Sequence, residues 1–447
     1  MDTENREPRT ENRLFHILTF GCKVNQCDSG GLAQGLMARG WQAAPAGVAP
    51  DLALVNTCTV TGRADQQARQ AIRRLAREHP GVPIWVTGCY AQRAPGEVAA
   101  LPGVRAVMGN REKARLAELA AGPLPAGGPI TRVGTYSPEE SFHPWPVQPL
   151  PDHTRAFIKV QDGCSHHCSY CVVPQVRGRG RSLEPGQVAA AFEDLAALRY
   201  QEVVLTGVDL GQYGGDLDPP GSLPGLLRHL KERPRPFRVR LSSLEPQGVT
   251  KELLQECAAW QEFCPHFHLP LQSGAAPVLE AMGRPYRPQD FRDLVQEIKQ
   301  YFPEAALGLD ILVGFPGETA SHFEATRNLV ESLPVTYLHV FPFSPRPGTP
   351  AAQMPPLPGK EIQSRALMMR DLGRLKRGQF LQSQLGRIRE VLVEGPAWQK
   401  GWLQGLSENY LRVVFPGPPD WRNRRLKVRF LRIEEELVVG EVVGGRG

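Results

Sequence analysis

Residues 162–171, Asp162-Gly163-Cys164-Ser165-His166-His167-Cys168-Ser169-Tyr170-Cys171, set three cysteines as CxxxCxxC in a polar loop. Three thiolates this close can hold three irons of a cubane cluster and leave the fourth open to an outside ligand, whereas an ordinary electron-transfer cluster takes four cysteines. An open iron implies chemistry. The competing reading is a structural zinc site completed by His166 or His167, although closed zinc sites usually pair two knuckles of the CxxC or HxxxH kind. Three buried structural thiols fit least well, because three cysteines in eight residues of polar loop make poor core material.

The loop directly follows a strand-like run near 156–160. Similar runs lie near 202–206, 237–241, 266–271, 308–313 and 336–341, separated by helical patterns. Six such repeats predict an open or partial (β/α) barrel. Upstream, LFHILTF (14–20) precedes a helix near 28–39, DLALVN (51–56) one over 62–78, and PIWVTG (83–88) one over 91–100. That alternation is the signature of a small α/β domain with a largely parallel sheet. Between the two units, residues 121–151 carry eight prolines and four glycines, too many for a regular element, and read as an exposed linker. Beyond a helix at about 360–384, five short runs (387–394, 401–406, 409–415, 426–432 and 437–443) predict a small β barrel of a kind that often binds RNA or single strands. The expected organisation is a disordered tail over 1–13, an N-terminal domain over 14–120, the linker over 121–151, the partial barrel over 152–375 and the β domain over 376–447.

Cys22, Cys58 and Cys89 each follow one strand of the N-terminal domain, in HILTFGC, ALVNTC and IWVTGC. In a parallel sheet the carboxyl ends of the strands share one edge, and ligands collect where strand order switches. The three thiols can therefore converge; three unrelated buried cysteines at equivalent strand ends would be a coincidence. Cys27, Cys257 and Cys264 have no such grouping and read as free thiols. The odd total of nine in a long, reduced chain points to metal or cluster ligation and away from a disulfide framework.

At about 150 residues per domain, 447 residues should form three cores, and 41% hydrophobic with 22% charged residues is ordinary globular composition. No apolar run approaches the roughly eighteen residues of a membrane span, and MDTENREPRTENR (1–13) is too polar and acidic for a signal peptide. A cytoplasmic protein without membrane contact is expected. Of the net charge of +6, residues 376–447 supply +5, from 13 Lys+Arg against 8 Asp+Glu. There Arg425, Lys427 and Arg429 fall on one face of a strand and Leu426, Val428 and Phe430 on the other. That face suits nucleic acid, and suits a solvated edge strand equally. The same two readings apply to Arg63, Arg69, Arg73, Arg74 and Arg77 on the second N-terminal helix.

GCKVNQCDS (21–29), VNTCTVT (55–61) and VTGCYAQ (86–92) combine with the CxxxCxxC loop, LTGVDLGQYG (205–214), RLSSLEP (240–246), HLPLQSG (268–274), DILVGFPGET (310–319) and HVFPFSPRPGTPAA (339–352). Over nearly the whole chain this set resembles the methylthiotransferase family of radical S-adenosylmethionine enzymes, built from an N-terminal cluster domain, a radical barrel and a C-terminal TRAM domain. GCKVNQ resembles the bacterial branch acting on carbon 2 of threonylcarbamoyladenosine at tRNA position 37. The branches for isopentenyladenosine, and for an aspartate of a small-subunit ribosomal protein, usually carry other residues around the first cysteine. Cys27 stands where a non-thiol residue is expected, and His167 where asparagine is frequent; neither departure removes a ligand.

The resemblance implies two [4Fe-4S] clusters. Cys164, Cys168 and Cys171 would hold one, whose open iron chelates S-adenosylmethionine; Cys22, Cys58 and Cys89 would hold a second that carries or delivers sulfur. Tyr170 would lie against the adenine of the cofactor, Thr206 and Gly207 would meet its amino group, and Ser243 and Glu245 would make polar contacts. Gly314, with Gly317, would let backbone approach the adenine or simply form a tight turn. One cofactor molecule would give a methyl group and another the radical that removes hydrogen from the target carbon, so no acid/base dyad is required. The implied partners are a tRNA anticodon arm and a reductase or flavodoxin-type electron donor, with no sulfur source identified. A reading of another class is a non-catalytic, zinc-stabilised RNA-binding protein.

Overall fold

Residues 52–57 (LALVNT) and 84–88 (IWVTG) are buried along their whole length, as expected of strands covered on both faces. They are β3 (Leu52–Thr57) and β4 (Ile84–Gly88) of a six-stranded parallel sheet with β1 (Leu14–Thr19), β2 (Gln42–Ala43), β5 (Val104–Met108) and β6 (Ile130–Arg132), in the order β2-β1-β3-β4-β5-β6. The computed structural model describes residues 13–122, 128–137, 140–145 and 154–444. The tail expected over 1–13 therefore lies, but for Arg13, outside the described residues, as do parts of the expected linker. Within that linker the structure differs from expectation: Ile130–Arg132 pairs in parallel with Ala106–Met108 and widens the sheet. Three residues among prolines and glycines are too few to show a period in the sequence.

Helix α1 (Lys23–Met37) begins five residues before the expected start. Its buried positions include Asn25, Asp28, Ser29 and Gln34, so the face turned inward is polar and the apolar periodicity that marks a helix is weak. α2 (Gly62–Glu78) behaves conventionally: Thr61 accepts the Ala64 N–H at 3.2 Å, and Ala68, Ala71, Ile72 and Leu75 form the buried stripe. The helix expected over 91–100 is two short ones, Cys89–Arg93 and Pro95–Ala99, because Pro95 cannot donate the next backbone hydrogen bond.

The central unit is a partial barrel of six parallel strands. β7 (Arg155–Lys159), β10 (Glu202–Thr206) and β11 (Arg238–Leu241) form one three-stranded sheet, and β12 (His266–Gln272), β13 (Ala306–Val313) and β14 (Tyr337–Pro342) another. The single bridges Val239↔Phe263 and Ser243↔His268 join them. Two-residue strands β8 (Gln161–Asp162) and β9 (Arg181–Ser182) pair across the base of the cysteine loop. Successive strand residues alternate faces: Val203, Leu205, Val239, Leu241, Phe267, Leu269, Leu307 and Leu309 join the core, while Glu202, Thr206, Arg238, Arg240, His266, His268 and Asp310 point the other way. The interior of this barrel is consequently polar.

After the helix Gly359–Ser383 the chain closes a five-stranded barrel in the order β15-β16-β17-β19-β18, with β15 (Ile388–Pro396), β16 (Trp402–Ser407), β17 (Arg412–Pro416), β18 (Arg425–Glu434) and β19 (Leu437–Val442). It docks at the amino ends of the central strands. Arg238 donates to the Leu406 and Glu390 carbonyls at 2.8 and 3.2 Å, and Arg240 to those of Glu408 and Ser407 at 2.9 and 3.2 Å. Glu202 holds both guanidinium groups at 2.7 and 2.9 Å. Among the described residues no helix is long and apolar enough to cross a membrane.

Candidate active site

The strand order of the N-terminal sheet switches between β1 and β3, with β2 added outside β1. Cys22 follows β1, Cys58 follows β3 and Cys89 follows β4, so the sheet delivers all three thiols to the switch point, where ligands collect. Two glycines make the approach feasible. Gly21, at φ +96°, lies against Cys58, whose Sγ would be 2.9 Å from a Cβ at that position. Gly88, also at φ +96°, is so close to β3 that a Cβ would lie 2.3 Å from the Thr57 carbonyl oxygen. A Gly-Cys pair after a strand was thus a second signal in the sequence, independent of the cysteines themselves.

Burial, with the neighbouring thiols Cys89 and Cys22, pushes the Cys58 thiol up to about 12; Arg177 works in the opposite direction on both Cys58 and Cys22. Asn110 Nδ2 donates to Cys89 Sγ at 3.5 Å. In the CxxxCxxC loop, burial likewise pushes Cys164 and Cys171 up to about 12, reinforced by the other thiols of the loop. Here the His166 backbone N–H donates to Cys164 Sγ and Arg284 Nη1 to Cys168 Sγ, both at 3.4 Å. Crowded, half-buried thiols become thiolates only beside a positive centre, and N–H···S contacts of this kind tune iron–sulfur clusters.

Spacing separates the cluster reading from zinc. Ligands about 2.3 Å from one zinc stand about 3.8 Å apart. Among the described residues one group of three potential ligands gathers within 4.8 Å, and it is His268, Asp310 and His339, not either cysteine triad. The imidazole a zinc site would borrow, His166, is instead held through Nε2 by Asp209 at 3.0 Å. Neither cysteine triad is gathered tightly enough to close on one zinc ion, and three thiolates each is the donor set a cubane with one open iron takes. Cys257 and Cys264 are buried and Cys27 half-buried, all free.

A cavity of about 500 Å³ opens beside Cys22 and Cys58 of the N-terminal triad. The N-terminal domain contributes Cys22, Lys23 and Cys58, the central barrel Thr206, Gly207, Ser242, Ser243 and the His268/Asp310/His339 group, and the C-terminal barrel Tyr410. Thr206 Oγ1 and Ser242 Oγ are buried without a hydrogen-bond partner, as expected of hydroxyls that await a ligand. Asp310 accepts from His268 at 2.8 Å and from His339 at 3.3 Å; burial would raise its carboxyl, yet these contacts hold it at about 2. His268 also meets the Tyr337 hydroxyl at 3.1 Å, which reaches His266 at 2.8 Å.

Of the residues singled out from sequence, Cys22, Cys58, Thr206, Gly207 and Ser243 share this cavity. Cys89 is buried behind it against Val172 and Val176. Tyr170 stands edge-on to Phe315, ring centroids 6.5 Å apart. Glu245 is not among the residues lining the cavity; it pairs with Arg284, the residue that also touches Cys168. Gly314 is not brought to the cavity either: Ile362 packs 2.5 Å from where its Cβ would be, and φ is +76°. A tight turn under the helix Gly359–Ser383 accounts for that glycine. Arg284, Ser242 and Lys23 were missed. The signal for the interior polar set was the alternation in RVRL (238–241) and HFHL (266–269), where every second residue of an apolar strand is charged or imidazole.

A second network joins the domains. Asp28 receives Lys113 at 2.7 Å, Lys159 at 2.6 Å and Arg177 at 3.1 Å, and Asp162 receives Lys159 and Arg177 at 2.9 and 2.7 Å. Burial alone would raise the Asp28 carboxyl, and the three cations hold it well below the usual range.

Residues 14–109 match the family described as uncharacterized protein family UPF0004, and residues 158–330 match the radical SAM superfamily. The chain is 34% identical over 94% of its length to the threonylcarbamoyladenosine tRNA methylthiotransferase MtaB of Bacillus subtilis, of which 93% is covered. It is 34% identical over 91% to the Thermotoga maritima protein of the same name, 92% covered, and 36% identical over 86% to that of Rickettsia prowazekii, 88% covered. In fold it is similar to the radical S-adenosylmethionine methyltransferase TsrM of Kitasatospora setae, solved with cobalamin and a [4Fe-4S] cluster bound, with a TM-score of 0.54 and 19% identity over 76% of this chain and 77% of that one.

Proposed function

The chain belongs to the radical S-adenosylmethionine tRNA methylthiotransferase family, with S-adenosylmethionine and [4Fe-4S] clusters as its cofactors, and we propose that it adds a methylthio group to carbon 2 of threonylcarbamoyladenosine at position 37 of tRNA. The observation that carries this reading is the shared cavity, onto which Cys22 and Cys58 of one domain and Thr206, Gly207 and Ser243 of another all open. A carbon held there lies beside Cys22 and Cys58 and beside the strand-end residues Thr206, Gly207 and Ser243 of the barrel that carries the cysteine loop. When bound, the groups on Cys164, Cys168 and Cys171 and on Cys22, Cys58 and Cys89 supply hydrogen abstraction, a methyl group and sulfur.

The protein's part is positioning. Arg284 ties Cys168 to Glu245 and so fixes the third wall of the loop site. The free hydroxyls of Thr206 and Ser242 offer contacts to the methionine portion of the cofactor. His268 and His339, braced by Asp310, and the ring of Tyr337 line the opposite wall of the cavity. Beyond that wall lies an adjoining cavity of about 410 Å³, between the central and C-terminal barrels, which shares Tyr337, His339 and Tyr410 and adds Arg377, Arg412 and Gln404. It supports entry of an RNA strand from the seam of the two barrels, with cations on the phosphates. A flavodoxin-type donor in the cytoplasm would supply electrons.

The test is nucleoside mass spectrometry of tRNA from a strain lacking the gene and from the same strain carrying it. Methylthiolated threonylcarbamoyladenosine should vanish and return; its persistence in the deletion strain, or loss of the isopentenyl nucleoside instead, would sink the assignment.

A further inference from the structure

Lys23 is the one Lys or Arg among the described residues that line the cavity, and Tyr410 is the lining residue from the C-terminal barrel. Lys23 shares that locality with Arg155, Arg240 and Glu202, and Arg238 adjoins them through Glu202. Three of the four cations are matched. Arg240 and Arg238 hold Glu202 at 2.9 and 2.7 Å, Arg238 also faces Glu390 at 3.6 Å, and Arg155 pairs with Glu394 at 2.9 Å. Among the described residues, no carboxylate is ion-paired with Lys23; the contact of its ammonium is the face of Tyr410, 5.9 Å from the ring centroid. A half-buried ammonium facing a cavity with no counter-ion is a place where an anion gains and a neutral group does not.

We propose that Lys23 is the specificity-determining cation of this site and pairs with the carboxylate of the threonylcarbamoyl arm of the substrate. The inference rests on the reading given under Proposed function, in which the substrate base enters this cavity. Carbon 2 and the carbon that bears the N6 arm flank N1 of the adenine, and their substituents diverge from the ring. If carbon 2 faces the thiols, the arm projects further along the cavity, and Lys23 presents its amine at the Tyr410 end while its backbone adjoins Cys22. An unmodified or isopentenylated adenosine brings no negative charge to the ammonium and leaves it desolvated and unpaired, which is how a charged site rejects an uncharged analogue.

The experiment measures binding of the cluster-loaded full chain to anticodon stem-loops by fluorescence anisotropy. Position 37 carries threonylcarbamoyladenosine as the free acid, the same group as its methyl ester, or isopentenyladenosine. The wild-type protein should prefer the acid to the ester by about tenfold to a hundredfold, the range for one hydrogen bond to a charged group. Lys23→Met should abolish the preference by weakening the acid alone, and Lys23→Arg should keep most of it. Equal wild-type affinity for acid and ester would overturn the proposal. So would an equal loss for both ligands in Lys23→Met, which would mark a structural role or a contact to RNA phosphate. Turnover of the isopentenyl stem-loop and not the threonylcarbamoyl one would refute the substrate reading itself, an outcome distinct from either.

Discussion

Replacing Asp28 by Asn should separate charge from shape in the joint between the N-terminal and central domains. Asp28 is 2% exposed and keeps three cations within 2.6–3.1 Å. With Asp162 it balances Lys113, Lys159 and Arg177 by two negative charges against three positive; the variant leaves one against three. Asn preserves volume, so no cavity opens, and the cost is that of unmatched buried charge, about 3 to 5 kcal/mol. Trp41 and Trp85 lie in the N-terminal core, and Trp145 donates to Asp28 itself at 3.0 Å, so tryptophan emission during urea unfolding of the cluster-loaded chain reports this joint. The pH dependence has a definite sign. The folded carboxyl lies well below its ordinary value, while the unfolded one titrates near 4. The stabilisation is therefore fully present above about pH 4 and lost as pH falls through the folded value, so the gap between the two proteins should be flat from pH 5 to 8. A loss below about 1 kcal/mol, or a gap that changes through pH 6 to 7, would refute the charge argument.

Gly88→Ala places a methyl group 2.3 Å from the Thr57 carbonyl oxygen at a positive φ; the triad at the sheet edge should then fail to assemble, and iron after anaerobic reconstitution should fall from roughly eight to roughly four per chain. Retention of eight would show that the glycine is dispensable. Arg284→Gln removes a cation 3.4 Å from Cys168 Sγ; the cluster potential, followed by electron paramagnetic resonance in a redox titration, should drop by about 60 mV if the contact contributes about 1.4 kcal/mol. Changing Arg377 and Arg412 together to Gln should weaken binding of every tRNA alike and reduce the salt slope by about two; an unchanged slope would place the RNA elsewhere.

The architecture was legible because each unit announces itself through period and position. β3 and β4 are continuous apolar runs, α2 has its stripe and its Thr61 cap, and the six barrel strands fall within two residues of their expected starts. The start of α1 was missed because its inward face carries Asn25 and Asp28 for a neighbouring domain, a long-range reason that a local pattern cannot express. The convergence of Cys22, Cys58 and Cys89 on one sheet edge could be read because thiols after strands of one parallel sheet have few places to go. Arg284 could not, since its role depends on a turn 116 residues downstream folding back onto Cys168. Gly314 was weighed for cofactor contact and for a turn; the positive φ and the packing of Ile362 account for the glycine as a turn residue without reference to a cofactor.

The C-terminal charge excess acquires a different meaning once its cations are traced. Of the residues placed on the basic face of β18, Arg425 reaches back to Glu262 of the central domain and Arg429 lies 3.6 Å from Glu441. Arg389 is drawn to Glu304 and Glu408, and Arg387 to Glu304. Arg432 and Arg424 pair locally with Glu434 and Asp420, at 2.7 and 3.7 Å. Much of the +5 therefore fastens this barrel to carboxylates or is neutralised beside them, and counting it as an RNA surface overstates the flank. The guanidinium groups that face open volume, Arg377 and Arg412, sit where the C-terminal barrel meets the cavity shared with Tyr337 and Tyr410. In the proposed binding mode docking and recognition use the same seam: fixing the barrel through Arg238, Arg240 and Glu202 also fixes Arg377 and Arg412 relative to the thiols of Cys22 and Cys58. A Lys427→Gln change on the flank should consequently leave the salt slope almost unaltered, while Glu202→Gln, which removes the shared carboxylate of Arg238 and Arg240, should weaken binding by releasing the seam.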